Sequence, residues 1–337
     1  MSGRRWVSAH LFHYGDLDAL VTEVVTPVVD ALDADEHFFL RYWEGGQHVR
    51  LRLKTADPDR ARDLVRSAAA RHFTRHPSTP PFGQDVYRRF AAVVAREERR
   101  EHFDERLRPA GTVEFIAYRP EHAAYGDEAC LAAVERHFTD SSTLALRVLA
   151  AGTPMDQRVA IGLAALTITL AVAEPDLAAA ATRIAETAPP DTTRLAASGS
   201  AASGSAASGS HAAARPAAPP PVEPPPVEPR QGALLRQTTN LWSSTPAGVL
   251  GTWRESIQRL RDALDPLQAA GRCRPQDPGS PHAHLAMAVP PARRTVPLIL
   301  LRCAHLFHNR LGLGREAELR TSSLLASTLT DLAASRR

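Results

Sequence analysis

The sequence predicts an α+β fold: an antiparallel sheet with packed helices in an N-terminal lobe, followed by a mostly helical C-terminal lobe. Three observations carry this. FFLRYWEGGQHVRLRL, from Phe38 to Leu53, reads as two strands around a Gly-Gly turn. Three copies of AASGS and a Pro-rich run fill residues 196–231, a flexible and then stiffer tether that divides the chain into 1–195 and 232–337. Beyond the tether every apolar repeat has helical spacing. With 337 residues and 44% hydrophobic content, there is enough chain for a sizeable core.

WVSAHLFHY reads as an opening strand and Leu17 to Leu32 as an amphipathic helix. In the hairpin, a turn at Gly45-Gly46 or a loop from Glu44 to Gln47 sets Trp43 opposite His48, Arg41 opposite Arg50 and Phe39 opposite Arg52. Alternation then sends Val49, Leu51 and Leu53 to a core and His48, Arg50 and Arg52 to the other face. A facing Arg41/Arg50 pair repels unless an anionic or carbonyl-rich group lies over it; a solvated basic face is the alternative. Asp57 caps a helix with Pro58 in its first turn, and Val113 to Tyr118 forms a further strand with Glu114, Ile116 and Tyr118 on one side. ACLAAVERHF and SSTLALRVLAA are helical. TPMD, from Thr153 to Asp156, has the capping-box pattern ahead of a fifteen-residue apolar run between Arg158 and Glu174, too short for a bilayer and expected as a buried helix. After the tether, Thr245-Pro246 precedes AGVLGTWRESIQRLRDALDPL, and two more helices follow in TVPLILLRCAHLFHNRLGL and EAELRTSSLLASTLTDLAA.

Composition narrows the function classes. Lys54 is the one lysine among forty basic residues; the stretch to Leu195 is net −4 and the stretch from Gln231 net +7. A basic C-terminal lobe suits an acidic peptide, but no aromatic-interleaved stripe points to nucleic acid. Cys130, Cys273 and Cys303 are odd in number and lack CxxC spacing, which favours a reducing compartment, and MSGRRWVSAH has no apolar core of a signal peptide, so the expected location is cytoplasmic without a membrane partner. No nucleotide cradle is visible. His305 and His308 share a helix face, yet no further ligand pattern supports a metal, and His282-Ala283-His284 falls in a Pro/Gly-rich loop expected to be solvated. In LWSSTP, Ser243 and Ser244 precede a predicted helix N-terminus, where they cap the helix or bind a carbonyl oxygen gaining negative charge; Trp242 offers a flat surface to an azole. No GxSxG elbow exists.

FFLRYWEGGQHVRLRL, VEFIAYRPEHAAYGDEACLAAVERHFTDSS and CAHLFHNRLG, with WVSAHLF before them, resemble in order and spacing the signatures of the C-terminal elimination domain of lantibiotic dehydratases. The resemblance implies that domain's fold. Where its elimination enzymes read Y-x-x-E-x-x-R-Y-G-G, this chain keeps Glu121, Tyr125 and Gly126 but has Ala124 for the arginine and Asp127 for the second glycine. Alanine makes no charge-assisted contact to a glutamyl carboxylate. The stand-alone thiopeptide pyridine synthases of the same family are therefore the closer resemblance. They imply a formal [4+2] aza-cycloaddition of two dehydroalanines in a precursor peptide, with loss of water and leader. A split elimination subunit acting on glutamyl-Ser/Thr and a non-catalytic leader-binding module remain the alternatives.

Under the leading expectation the partner is a dehydrated, azole-containing precursor with its leader, with other biosynthetic enzymes of the pathway as further partners. No cofactor is required, only an acid and a base at one peptide bond. Candidates are Tyr42, His48, Glu114, Tyr118, Ser243, Ser244 and His305, with Arg41, Arg50, Trp242 and Asn309 binding substrate. These residues are expected to wall one cleft between the hairpin and the terminal helices, beside Trp242 and His305.

Overall fold

The computed structural model describes residues 4–32, 34, 36–97, 100–187, 227–276 and 279–336, so the AASGS and Pro-rich tract up to residue 226 lies outside the described residues. Strand β1 (Arg5–Phe12) leads into α1 (Leu17–Leu20), a π-helical turn (Val21–Val25) and α2 (Thr26–Leu32), one continuous rod where a single helix is predicted. Strands β2 (Glu36–Tyr42) and β3 (His48–Thr55) form the hairpin, α3 (Pro58–Arg75) and α4 (Gln84–Glu97) follow, and β4 (Val113–Ile116) completes an antiparallel sheet of order β2-β3-β1-β4. Asp57 caps α3 as expected, accepting from the Arg60 amide.

Val49, Leu51 and Leu53 are fully buried on the helix-packed face. The hairpin register differs by one residue from the expected one: Tyr42 faces His48, Leu40 faces Arg50 and Phe38 faces Arg52. The cause is the connection, which holds five residues, Trp43 to Gln47, closed by the Gly46 amide donating to the Trp43 carbonyl. Gly45 and Gly46 both adopt positive φ there. Since a one-residue slip moves every side chain of a strand to the opposite face, Arg41 lies with Val49 on the core side, and the expected Arg41/Arg50 repulsion does not arise.

The outer edge of β2 is closed by side chains. Thr139 and Ser142 of α6 (Glu128–Ala150) accept from the His37 and Phe39 amides. From α11 (Thr295–Leu311), Asn309 brackets Arg41, accepting from its amide at 2.8 Å and donating to its carbonyl at 2.9 Å, while Arg310 Nε donates to the Phe39 carbonyl. An edge that would template another strand is thereby saturated.

Between these lie α5 (His122–Tyr125), α7 (Met155–Ala173), α8 (Leu177–Thr187), α9 (Val227–Ser243) and α10 (Gly248–Ala269); the 3-10 turn Ala283–Ala288 precedes α11, and α12 (Arg315–Ala334) ends the fold. Helix α7 is the one described helix long and apolar enough to cross a bilayer, and α9, α10, α11 and α12 pack around it, with 61% of its apolar window buried. Two cap expectations fail. Pro154, not Thr153, stands at the N-cap of α7 and makes no side-chain bond. Helix α10 begins at Gly248, because α9 runs on through Ser243 and the left-handed turn comes at Gly248, beyond Thr245-Pro246. Residues from both sides of the tract join one hydrophobic core, where Trp253 of α10 stacks on Phe307 of α11 at 4.5 Å.

Candidate functional site

The sheet face turned away from Val49, Leu51 and Leu53 is polar, and cross-strand register sets its residues in rows. One row runs Leu40, Arg50, His10, Glu114; the next runs Phe38, Arg52, Ser8, Ile116; Tyr42, His48 and Phe12 lie on the other side of the first. His48 is buried and its Nδ1 lies 2.8 Å from the Gly46 carbonyl, an acceptor only. Its proton therefore sits on Nδ1, leaving Nε2 to accept from Arg50 Nε at 3.2 Å. The Arg50 guanidinium lies over the Tyr42 ring at 3.4 Å and donates to Glu44. Arg100 donates to the Tyr42 hydroxyl and to Glu44. Burial works against the Glu44 anion, but bonds from Arg100 and the Asp104 amide hold its carboxyl below the ordinary range. Burial, reinforced by the neighbouring cations, drives the His48 pKa down to about 3 and that of His10, stacked on it, to about 2. Both are neutral imidazoles at any ordinary pH.

In the middle of this face, hydrogen-bonding capacity is left unused. Ser8 Oγ, His10 Nε2 and both Nε and Nη1 of Arg52 are buried without a partner among the described residues. Ser8 faces Arg52 across the ladder and His10 is two residues along the same strand, so the groups are neighbours. Burial lowers the Arg52 pKa to about 10, which still leaves it charged at neutral pH. Arg310 adds to the set: its side chain is fully buried, Nε is engaged with Phe39, and Nη1 and Nη2 have no partner. Its guanidinium stands over Phe138, which packs against Phe38 of the same sheet face, and Glu121 acts electrostatically on Arg52 and Arg310 alike. Leaving a buried polar group unsatisfied costs about 1–3 kcal/mol, and more for a charged one. The other unpartnered buried side-chain nitrogens, on His37, His72, His137, Arg254 and His282, occur one to a residue. Unused N–H groups on guanidinium side chains are chemically suited to an anion or to the oxygen of a polarised carbonyl.

At the end of the face, Tyr118 donates to Glu135 at 2.5 Å. Burial and this carboxylate raise the Tyr118 pKa, and burial raises that of Glu135, so one proton is held between two groups that both resist ionisation. Glu114 accepts from Arg108 Nε at 2.7 Å, and Arg108 also pairs with Asp104. A depression of about 180 Å³ at the sheet edge, where β4 stops short of β1, is lined by Trp6, Val7, Ser8, Phe115, Ile116 and Ala117 together with Arg62 of α3.

Tyr42, His48, Arg50, Glu114 and Tyr118 are thus brought to one face; the other predicted site residues are not. Arg41 sits on the opposite face, paired with Asp18 at 2.6 Å, an anion it shares with Arg158. Asn309 is spent on the β2 backbone, as its neighbour Arg310 is in part. Trp242 is buried, its indole N–H donating to the Glu174 and Pro175 carbonyls. Ser243 and Ser244 close α9 and donate back to the Thr239 and Asn240 carbonyls, because the helix they were expected to precede starts four residues later. His305 lies against Glu318 at 2.9 Å on α12. A cavity of about 300 Å³ is lined by Arg261, Asp265, Val296 and Leu300, and neither Trp242 nor His305 is among its lining residues. Asp127, at the position of the missing glycine, caps α6 by accepting from the Ala129 and Cys130 amides. Ser8, His10, Arg52 and Arg310 were not among the predicted site residues, although strand alternation had set Arg52 on this face. The available signal was the alternation in β1, where Ser8 and His10 fall between the apolar Val7, Ala9 and Leu11.

Over residues 6–329 the chain matches the family model described as lantibiotic biosynthesis dehydratase C-term. Among solved structures it is similar to the pyridine synthase TbtD from thiomuracin biosynthesis, with TM-score 0.64 and 15% identity, covering 98% of this chain and 99% of that one. It is also similar to TsrL, with TM-score 0.57 and 18% identity over 98% and 97% of the two chains. The tRNA-dependent lantibiotic dehydratase MibB from Microbispora sp. 107891 matches with TM-score 0.53 and 18% identity, the whole of this chain corresponding to 29% of that longer one. No curated protein sequence matches. The structural likenesses show a shared fold. Because one family model runs unbroken from Trp6 in the first strand to Leu329 in the last helix, this chain belongs to the lantibiotic dehydratase C-terminal family.

Proposed function

We propose that this protein builds the central pyridine of a thiopeptide by a formal [4+2] aza-cycloaddition of two dehydroalanines in a leader-bearing precursor peptide. Family membership supports the coarser statement, a biosynthetic enzyme acting on a ribosomally made peptide. The finer reading is supported by the unused hydrogen-bonding capacity of Ser8, His10 and Arg52 on one sheet face and of Arg310 at the β2 edge.

In this reaction one dehydroalanine amide moves its proton from nitrogen to oxygen, giving an iminol whose C=C–N=C unit is the diene. The second dehydroalanine alkene adds across it, two carbon–carbon bonds form, and water and then the leader carboxamide depart to leave the aromatic ring. The demanding change is the growth of negative charge on amide oxygen as the proton leaves nitrogen. Guanidinium N–H groups with no other partner suit that oxygen, because they stabilise charge without first breaking bonds of their own; loss of one such donor typically costs about 10²–10³ in kcat. The Tyr118–Glu135 pair holds a proton that neither partner releases readily to water, which suits relay between nitrogen and oxygen of one amide. Tyr42, His48 and Arg50 are engaged with one another and with Glu44, and act by holding the hairpin in register. Glu114, locked by Arg108, steadies the row beside His10. Binding the linear peptide in a bent form then transfers the loop-closure entropy from the barrier to the binding step.

Mass spectrometry of the purified protein with a dehydrated, azole-containing precursor tests this. Release of the leader as a carboxamide together with a cyclised core is the expected result. Conversion of glutamyl-Ser to dehydroalanine in its place, or binding with no change in mass, overturns it.

A further inference from the structure

Away from the sheet face, four side chains remote in sequence converge between α11, α12 and the loop before α11. His282, expected in a solvated loop, is instead fully buried, with its Nε2 3.2 Å from His308 Nδ1. His308 Nε2 lies 2.9 Å from the Gly162 carbonyl of α7. A carbonyl only accepts, so the proton of His308 is on Nε2 and the lone pair on Nδ1. That lone pair looks toward Glu318 Oε1 at 3.6 Å, and the same carboxylate oxygen is 2.9 Å from His305 Nδ1. Two electron-pair donors, an imidazole nitrogen and a carboxylate oxygen, therefore point at one spot in a region where Glu318 is only 6% exposed.

One ligand atom each from His282, His308 and Glu318 can be chosen so that all lie within 4.8 Å of one another. Bond lengths of about 2.0–2.2 Å to a tetrahedral zinc ion place neighbouring ligand atoms about 3.3 Å apart. The His282–His308 and His308–Glu318 separations, 3.2 and 3.6 Å, bracket that value. We propose that His282, His308 and Glu318 form a three-ligand site for a divalent transition-metal ion, zinc by the imidazole-carboxylate ligand set, which ties the loop to α11 and α12, with His305 steadying the Glu318 carboxylate from outside. Binding requires that His282 carry its proton on Nδ1, a nitrogen that is buried without a partner among the described residues. Gly162 supplies the outer support: its carbonyl fixes the His308 tautomer, and a Cβ at that position would lie 3.0 Å from His308 Nε2. All three ligands are buried and come from three separate segments, so the role assigned to the ion is to hold structure. It does not rest on the proposed cyclisation.

Glu23, His72 and His76 form a second cluster of metal-ligating types, but Arg75 already pairs with the Glu23 oxygen they share, which makes it the control. The test is elemental analysis of the untagged full chain after chelation and dialysis against zinc, with cobalt substitution read as visible ligand-field absorption. One zinc per chain and a tetrahedral cobalt spectrum are expected. His282→Gln and Glu318→Gln each weaken zinc binding by more than the roughly 10–100-fold that loss of an outer-shell partner costs, while His72→Gln with His76→Gln leaves it intact. Folded wild-type chain that retains no zinc and gives no cobalt spectrum overturns the site without touching the enzymatic reading. So does zinc bound equally by the His282→Gln and Glu318→Gln variants, or lost in the His72/His76 pair. Because the wild-type measurement decides first, a variant that misfolds leaves the conclusion standing or fallen on its own.

Discussion

Two faces of one four-stranded sheet treat polar groups in opposite ways. On the helix-packed side and along the β2 edge every arginine the hairpin sends there is engaged: Arg41 meets Asp18 and the Arg310 carbonyl, and its own backbone is bracketed by Asn309. On the opposite side Arg52, one ladder position from the well-paired Arg50, keeps two nitrogens without a partner, next to Ser8 and His10 in the same condition. The two arginines carry the same chemistry, but one closes a fold and the other holds bonding capacity in reserve. That contrast locates the site more sharply than charge or burial alone.

The contrast is broken most severely if Arg52 proves structural. Arg52→Gln is expected to lower kcat by about 10²–10³ while shifting stability by no more than about 0.5 kcal/mol, since Nε and Nη1 make no hydrogen bond that the substitution would break. A lowered midpoint with parallel loss of activity would place Arg52 with Arg41. Acid tests the imidazoles on that face. His10 and His48 are neutral when folded, held at about 2 and about 3 by burial, and protonate near 6.5 once unfolded. The unfolded chain therefore binds more protons below 6.5; stability is complete above that pH and falls as pH drops toward the folded values, by about 2 kcal/mol per imidazole at pH 5. Urea midpoints measured from pH 7 to 5 should fall less steeply in His48→Asn than in the parent. Arg41→Ala sharpens the other half of the comparison: about 1.5–2 kcal/mol of stability is lost in denaturant titration, with kcat per folded molecule retained. The smallest effect belongs to Ser243→Ala and Ser244→Ala, within about 0.5 kcal/mol of the parent and with unchanged turnover, as their hydroxyls serve only α9. A tenfold loss of turnover there would return LWSSTP to the active site.

Much of the fold was legible because periodicity is local. Strand β1, helix α3 with its Asp57 cap, the burial of α7 and the inward set of Val49, Leu51 and Leu53 all follow from spacing within a few residues. What was not legible depends on counts and encounters. A five-residue loop instead of two or four moved Arg41 to the other face, and no propensity in WEGGQ distinguishes these lengths. Trp242, Ser243 and Ser244 misled because a Ser-Ser-Thr-Pro run marks the end of α9 as readily as the start of α10. Asn309 sits beside a candidate histidine on one helix face, but its role was fixed by a strand 268 residues away. His282 and Glu318 reach His308 only through tertiary packing, so no spacing rule for metal ligands would find them.

The helix-sealed edge of β2 has a consequence for synthesis. Asn309 and Arg310 leave the ribosome long after the strand they protect, so the nascent sheet waits, with the Arg41 amide and the Phe39 carbonyl uncovered, for 268 further residues to appear. Such distant partners slow folding and prolong the interval in which strands can recruit each other between molecules. A chain truncated before α11 should accumulate as β-rich aggregate, and the intact one should gain yield from slower translation or a holdase that shields the hairpin.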